Sequence, residues 1–256
     1  MLPFLRIGPF LLQTPGLALL GGIWIGSWLA EKEAVRAKLN PASIYNLIFV
    51  GLIAGILGAR LAYAARFTDI YLSNPLSLLA LNTSTLSSTE GTAIGLIAAA
   101  IYGQRKGLPL RPTLDVLAPG LAAFLVFVGL AHFLSGDAFG APARLPWSIY
   151  LWDEYRHPSQ VYEILAALGI FVASKVLSLN RAGSGLYFLL VVALSALARI
   201  FLEAFRGDSV IWTGGFRAAQ VIGVILLATS LQLINTWSNK REEGERQVTP
   251  DLPYEM

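Results

Sequence analysis

The 256-residue chain contains no cysteine, which excludes disulfides, cysteine-ligated zinc and a thiol nucleophile of its own. Any thiol in its chemistry has to arrive on a substrate. Histidine is nearly as scarce: His132 and His157 are the only two, too few for a histidine-rich metal site, and no metal or cofactor is expected. Charge is thin as well, at 14% of residues against 55% hydrophobic, with a mean hydropathy of +0.61. That balance is too apolar for an ordinary soluble domain and reads as a polytopic membrane protein. The basic residues behind the pI of 9.2 are scattered rather than striped, so they suit loops flanking a membrane and argue against nucleic acid as a partner. The chain also lacks a serine nucleophile elbow, a metal-binding helix and a glycine-rich nucleotide loop.

What is present is a series of apolar runs. Residues 1–10 have no positive n-region or small-residue cleavage site, so no cleaved signal peptide is read there. Helical spans are expected over Leu11 to Ala30, Ala42 to Ala65, Gly91 to Gln104, Thr113 to Ser135, Pro158 to Leu177, Ser184 to Phe205 and Phe216 to Trp237, each near the length that crosses a bilayer except the third, which is short. The fold expected is all-α, with about seven transmembrane helices. Residues 1–237 form one transmembrane domain with outer-face loops at 66–90 and 136–157, and residues 238–256 form a charged cytoplasmic tail. Gly22 and Gly26, and Gly51, Gly55 and Gly58, mark faces where helices pack closely. Pro119 predicts a kink in the fourth span, and the apolar piece Pro75 to Leu81 is too short to cross.

Eleven lysines and arginines (Lys32, Arg36, Lys38, Arg105, Lys106, Arg111, Lys175, Arg181, Lys240, Arg241, Arg246) fall on the side of the tail. Six (Arg6, Arg66, Arg144, Arg156, Arg206, Arg217) fall on the other. The excess places the tail in the cytoplasm and the N-terminus outside. Arg60, Glu90, His132, Asp137, Arg199 and Glu203 then gather at the outer half of the bilayer, where ionisable groups are costly and mark function.

The densest polar stretch is Arg156-His157-Pro158-Ser159-Gln160-Val161-Tyr162-Glu163. Pro158 suits the first turn of a helix, from which Ser159, Tyr162 and Glu163 share a face with Gln160 beside them. Arg199, Glu203 and Arg206 share another face, and Arg199 with Glu203 is at salt-bridge spacing. Arginines at membrane depth match phosphate oxygens with parallel hydrogen bonds, and carboxylates or histidine beside them move protons. Arg60 either snorkels to the interface or contacts a phosphate; His132 is either a hydrogen-bonded helix-end residue or a base. Trp147 and Trp152 are read as headgroup-level anchors.

The stretch from Arg156 to Glu163 resembles the R-H-P-S-Q-x-Y-E signature of the bacterial prolipoprotein diacylglyceryl transferase family. The resemblance extends through Gly58-Ala59-Arg60-Leu61, Asp115 with Pro119, Gly136-Asp137-Ala138-Phe139-Gly140, and Arg199 to Arg206. It implies a multi-pass enzyme of the bacterial cytoplasmic membrane that moves the diacylglyceryl group of phosphatidylglycerol onto the lipobox cysteine of a preprolipoprotein signal peptide, releasing glycerol phosphate. By that resemblance Arg199, Glu203, Glu90, His132 and Asp137 are expected to be catalytic. Arg60, Gly140, Arg156, His157, Ser159, Gln160, Tyr162, Glu163 and Arg206 are expected to bind substrate. The chain departs from the family pattern at Glu90-Gly91-Thr92, where H-G-G is usual, and at Gly129, where an arginine is usual. His132 stands for an asparagine, Asp137 for a glutamate and Pro15 for a tyrosine. The alternative is a relative that binds phospholipid without transferring it.

Overall fold

A computed structural model describes residues 2–8, 10–79, 86–177 and 184–248. Arg181, the middle of the serine and threonine run at 80–85 and the tail beyond residue 248 lie outside them. Seven long helices dominate: α1 (Thr14–Arg36), α2 (Pro41–Arg66), α4 (Ser88–Arg105), α5 (Leu110–Ser135), α6 (Ser159–Leu177), α7 (Leu186–Leu202) and α8 (Ala218–Val248), with a short α3 (Thr68–Ser73) between α2 and α4. Among the described residues, five segments are long and apolar enough to cross a membrane: Pro41–Arg66, Leu110–Ser135, Ser159–Val176, Leu186–Phe205 and Ala218–Asn239. The chain is a polytopic membrane protein. Exposed Phe49, Ile53 and Ile56 on α2, and Ile222, Ile225 and Leu226 on α8, present the apolar surface that lipid requires.

The all-α expectation is corrected by two antiparallel hairpins, β1 (Phe4–Ile7) with β2 (Phe10–Gln13), and β3 (Ile149–Leu151) with β4 (Glu154–Arg156). The first hairpin takes residues assigned from sequence to the first span: Leu11 pairs with Arg6 and Leu12 with Leu5. The reason is Pro15, which is tolerated in the first turn of a helix but in its interior would clash with the carbonyl four residues back. Helix α1 therefore starts at Thr14. The second hairpin turns through Trp152 and Asp153, both at positive φ (54° and 59°), the twist that two-residue hairpin loops favour.

A further boundary differs from the sequence reading. α8 does not stop at Trp237 but continues to Val248, because Lys, Arg, Glu and Gln are strong helix formers once the chain has left the apolar layer. α5 runs unbroken through Pro119. α2 starts as its sequence asks, with Pro41 in the first position and the Asn40 side chain accepting from the Ala42 and Ser43 amides at 3.0 and 3.4 Å, which satisfies donors the helix end leaves open.

α1 and α4 are not among these five segments, and each is packed by glycine. α1 lies along α5, where a Cβ on Gly26 would stand 2.9 Å from the Gly120 carbonyl oxygen; α4 lies along α2, where a Cβ on Gly55 would stand 3.1 Å from the Gly91 carbonyl oxygen and one on Gly95 2.7 Å from that of Gly51. Without side chains at these points the backbones approach closely, and dispersion replaces the hydrophobic drive that lipid does not supply. At one end of the bundle Ala30, Ala34, Ile44 and Val116 form a buried cluster. At the same end Asp115 accepts hydrogen bonds from the amides of Gly185 (2.8 Å) and Phe188 (3.0 Å), capping α7 from across the bundle. The opposite end gathers the C-termini of α5 and α7 with the N-termini of α6 and α8, and there the polar residues meet.

Candidate functional site

Irregular backbone builds the scaffold of the site. The segment Phe139 to Ala143 is laced between two others: Gly207 N–H donates to Phe139 O (2.9 Å), Ala141 N–H to Phe205 O (2.8 Å), His157 N–H to Ala141 O (3.0 Å) and Ala143 N–H to Tyr155 O (2.9 Å). Only glycine fits at its centre, since a Cβ on Gly140 would overlap the His157 carbonyl and stand 2.7 Å from the His157 Cβ. Gly140, expected from the resemblance to bind substrate, acts here through its backbone: it seats His157 on one side and Arg206 on the other.

The Arg156-to-Glu163 stretch divides its labour. Arg156 staples the β3–β4 hairpin, contacting Glu154 (2.8 Å) and donating to Leu151 O (3.1 Å) and Gly140 O (3.3 Å). Ser159 and Gln160, both buried, donate to the carbonyls of Ala138 and Asp137. The donors in these contacts are engaged by the protein's own loop. Tyr162 OH accepts from Trp147 Nε1 (2.8 Å) and lies 3.4 Å from His157 Nδ1, and both rings pack edge-on against Phe205. Trp147, read from sequence as a membrane anchor, thus also ties the loop to α6.

Glu163 is the hub. Its Oε1 is 2.8 Å from Arg206 and 3.3 Å from Arg199, and its Oε2 is 2.8 Å from His132 Nδ1. Three elements, α5, α6 and the end of α7, converge on one carboxylate. Arg199 also lies 3.0 Å from Glu203, which is almost completely buried in the 3₁₀ turn that ends α7. Arg206 is saturated: beyond Glu163 it forms a two-pronged pair with Asp208 at 2.9 and 2.7 Å, the fork geometry guanidinium favours. Burial pulls the Arg206 guanidinium down, but the hydrogen bond to Asp208 and the charges of Glu163, Asp208 and Glu203 outweigh it and hold the group above the ordinary arginine value. Arg217, counted in the sequence only as a loop charge, donates to the carbonyls of Glu203 and Arg206 and to Ser209 Oγ.

The cluster holds three arginines and three carboxylates, so little net charge is buried, and the members differ in access. Side-chain exposure is 40% for Arg199 and 34% for His132, but 15% for Glu163, 11% for Arg206 and 2% for Glu203. Arg199 and His132 are thus more exposed than the carboxylate and the second arginine they pack against. An apolar groove of about 490 Å³ opens beside Arg199 between α6 and α7, with Ala166 and Gly169 on one wall and Ala198 and Phe201 on the other.

The remaining expected site residues lie on other elements. Arg60 donates to the Ser77 and Leu78 carbonyls at 2.8 and 3.0 Å, holding the 75–79 turn against α2. Glu90, in the first turn of α4, is paired with Arg66 at the end of α2. Asp137 is exposed, and its backbone carries its role: the N–H donates to Ser135 Oγ (3.1 Å) and the carbonyl accepts from Gln160. Gly129, where the resemblance expects an arginine, is pressed against α6, and a Cβ there would stand 2.9 Å from Ile164 Cγ1 and 3.1 Å from Ile164 N. Bare backbone at that point lets α6 close on α5, and His132, one turn along, reaches Glu163, the neighbour of Ile164. Among the described residues no cluster of metal-ligating side chains occurs.

The family profile described as prolipoprotein diacylglyceryl transferase matches residues 3–236. Among curated proteins, the phosphatidylglycerol–prolipoprotein diacylglyceryl transferase of Geobacillus kaustophilus is 30% identical over 255 residues, covering 94% of this chain and 93% of the relative. The protein of that name from a Synechococcus strain is 28% identical over 260 residues, covering 92% and 93%. That of Corynebacterium glutamicum is 25% identical over 271 residues, covering 95% and 84%.

Proposed function

The chain belongs to the prolipoprotein diacylglyceryl transferase family, and on that premise we propose that it transfers the diacylglyceryl group of phosphatidylglycerol to the lipobox cysteine thiol of a preprolipoprotein signal peptide. The bond formed is C–S, from the cysteine sulfur to the terminal glycerol carbon of the diacylglyceryl group. The bond broken is C–O, and glycerol phosphate leaves with the electron pair. The observation that carries the reading is Glu163 gripping Arg199, Arg206 and His132 at once beside a groove open to lipid.

Arg199 holds the lipid phosphate. It is the most exposed cation of the cluster, and its contacts with Glu163 and Glu203, at 3.3 and 3.0 Å, are looser than those that saturate Arg206. Charge-assisted hydrogen bonds from a fixed guanidinium favour the phosphate most as it departs with extra charge, and one such donor is typically worth about a hundredfold or more in rate. Arg206, Glu203 and Asp208 keep Arg199 and Glu163 aimed, and an acyl chain lies along the α6–α7 groove. Seven helices cross the bacterial cytoplasmic membrane with the N-terminus outside, so the cluster faces the outer leaflet, where a signal peptide presents its cysteine.

The test is a transfer reaction with the purified protein in phosphatidylglycerol vesicles and a lipobox peptide, read by peptide mass. A gain of one diacylglyceryl group, lost in folded Arg199→Ala, supports the enzyme. No product, where a relative with arginine at the Gly129 position gives one, overturns transfer and leaves lipid binding, the reading that the filled α5–α6 contact at Gly129 favours.

A further inference from the structure

The position where the family pattern has histidine is Glu90 in this chain, and Glu90 is already bound to Arg66. An ordinary carboxylate lies about four pKa units below a thiol and is a weak acceptor of its proton. A group better suited to take a proton is the imidazole in the Glu163 cluster, His132. Nδ1 of His132 lies 2.8 Å from Glu163 Oε2. A carboxylate clamped by Arg199 and Arg206 has no proton to give, so Nδ1 carries the hydrogen and Nε2 carries the free lone pair. The ring is about one-third exposed, and it shares its carboxylate partner with the most exposed arginine of the cluster.

We infer that in this chain the proton acceptor for the incoming thiol is His132 Nε2, that Glu163 is its positioning residue, and that the Glu90–Arg66 pair takes no part in proton transfer. The inference rests on the transferase reading above. The cysteine Sγ–H gives its proton to Nε2 as the sulfur attacks carbon; the C–O electron pair leaves on the glycerol phosphate, which recovers a proton from the imidazolium. The ring meets Glu163 from α6, which in turn holds Arg199 and Arg206, so the imidazolium formed in the step is balanced by the same carboxylate that orients the neutral ring. The bare backbone at Gly129 makes the dyad possible, because it is what lets Glu163 come within reach of His132.

The experiment measures transfer at pH 7 and at pH 9, since above about 8.5 a free thiol ionises without help. His132→Gln, and His132→Asn as a second variant that keeps a donor toward Glu163, should lose at least a hundredfold at pH 7. Both should return to within about tenfold of wild type at pH 9, with little change in KM for phosphatidylglycerol. Glu163→Gln should show part of the same pH-recoverable loss, which a merely structural role does not give. Any loss in Glu90→Gln should be equal at the two pH values. A loss in the His132 variants that is equal at the two pH values overturns the assignment, and so does a pH-recoverable loss in Glu90→Gln. A wild-type protein that makes no product overturns the transferase reading and this inference with it.

Discussion

Gly26 and Gly120 meet backbone to backbone: a Cβ on Gly26 would stand 2.9 Å from the Gly120 carbonyl oxygen, and one on Gly120 would overlap that of Gly26. No side chain on either helix has to yield for the contact, and none can be added without moving a helix. Gly120→Leu should therefore lower stability by about 3 kcal/mol, measured by thermal unfolding in detergent.

Restoring the family residue at position 129 should harm rather than help. Gly129→Arg drives a side chain into the Ile164 backbone, parts α5 from α6 and pulls Glu163 off His132. The expected result is a fall in transfer of about tenfold or more. A rise in rate would mean that α6 yields and that the missing cation is limiting.

The α6–α7 groove gives a prediction about substrate size. Nothing lies within 4 Å of a Cβ placed on Gly169, so Gly169→Trp fills the groove without touching the fold. KM for long-chain phosphatidylglycerol should rise by about tenfold, with a much smaller effect on a short-chain lipid and an unchanged melting temperature; one CH₂ lost from an apolar contact is worth about 0.8 kcal/mol.

Asp115→Ala separates fold from chemistry at the far end of the bundle. Losing the cap on the Gly185 and Phe188 amides should cost about 1–2 kcal/mol and leave the pH profile of transfer as it is in wild type. Unfolding and rate measured on one preparation check both halves.

Arg206→Lys should lower transfer by about tenfold or more, because an ammonium cannot serve Asp208 through two prongs and Glu163 at once. The native charge gives no pH dependence of its own. Its value in the folded protein lies above the ordinary arginine range, so the stabilisation is fully present below that range and is lost only as pH rises through the raised value. Between pH 5 and 9 the pH dependence of the unfolding midpoint should owe nothing to Arg206, as a pH series on wild type and Arg206→Lys would read directly.

Much of the site was legible in the sequence because helical spacing is a strict ruler. Arg199 and Glu203 pair as their spacing required, and Glu163 stands on the first turns of α6 after Pro158; Arg206 lies past the helix end in extended backbone. Partners that depend on which helices touch were not legible. Nothing local says that Asp115 caps α7, that Arg217 braces Glu203, that Arg66 takes Glu90, or that Ser159 and Gln160 turn to the carbonyls of 137–138. Arg60 and Glu90 joined the cluster in the sequence reading because both lie near one boundary of the apolar layer, but depth alone does not fix position around a bundle. The first hairpin was hidden because its residues are as apolar as a span, and its one local signal was Pro15, which sets where a helix can begin.

The glycine seams of α1 and α4 also bear on how the protein is made. α4 leaves the ribosome after its partner α2, so a helix too polar to prefer lipid finds a grooved surface already in the membrane. α1 is made first, and the helix whose backbone it fits, α5, comes only after α2 and α4. The earliest long helix of the chain thus meets the backbone it fits only when the chain is half synthesised, an order of events that the finished bundle no longer reveals.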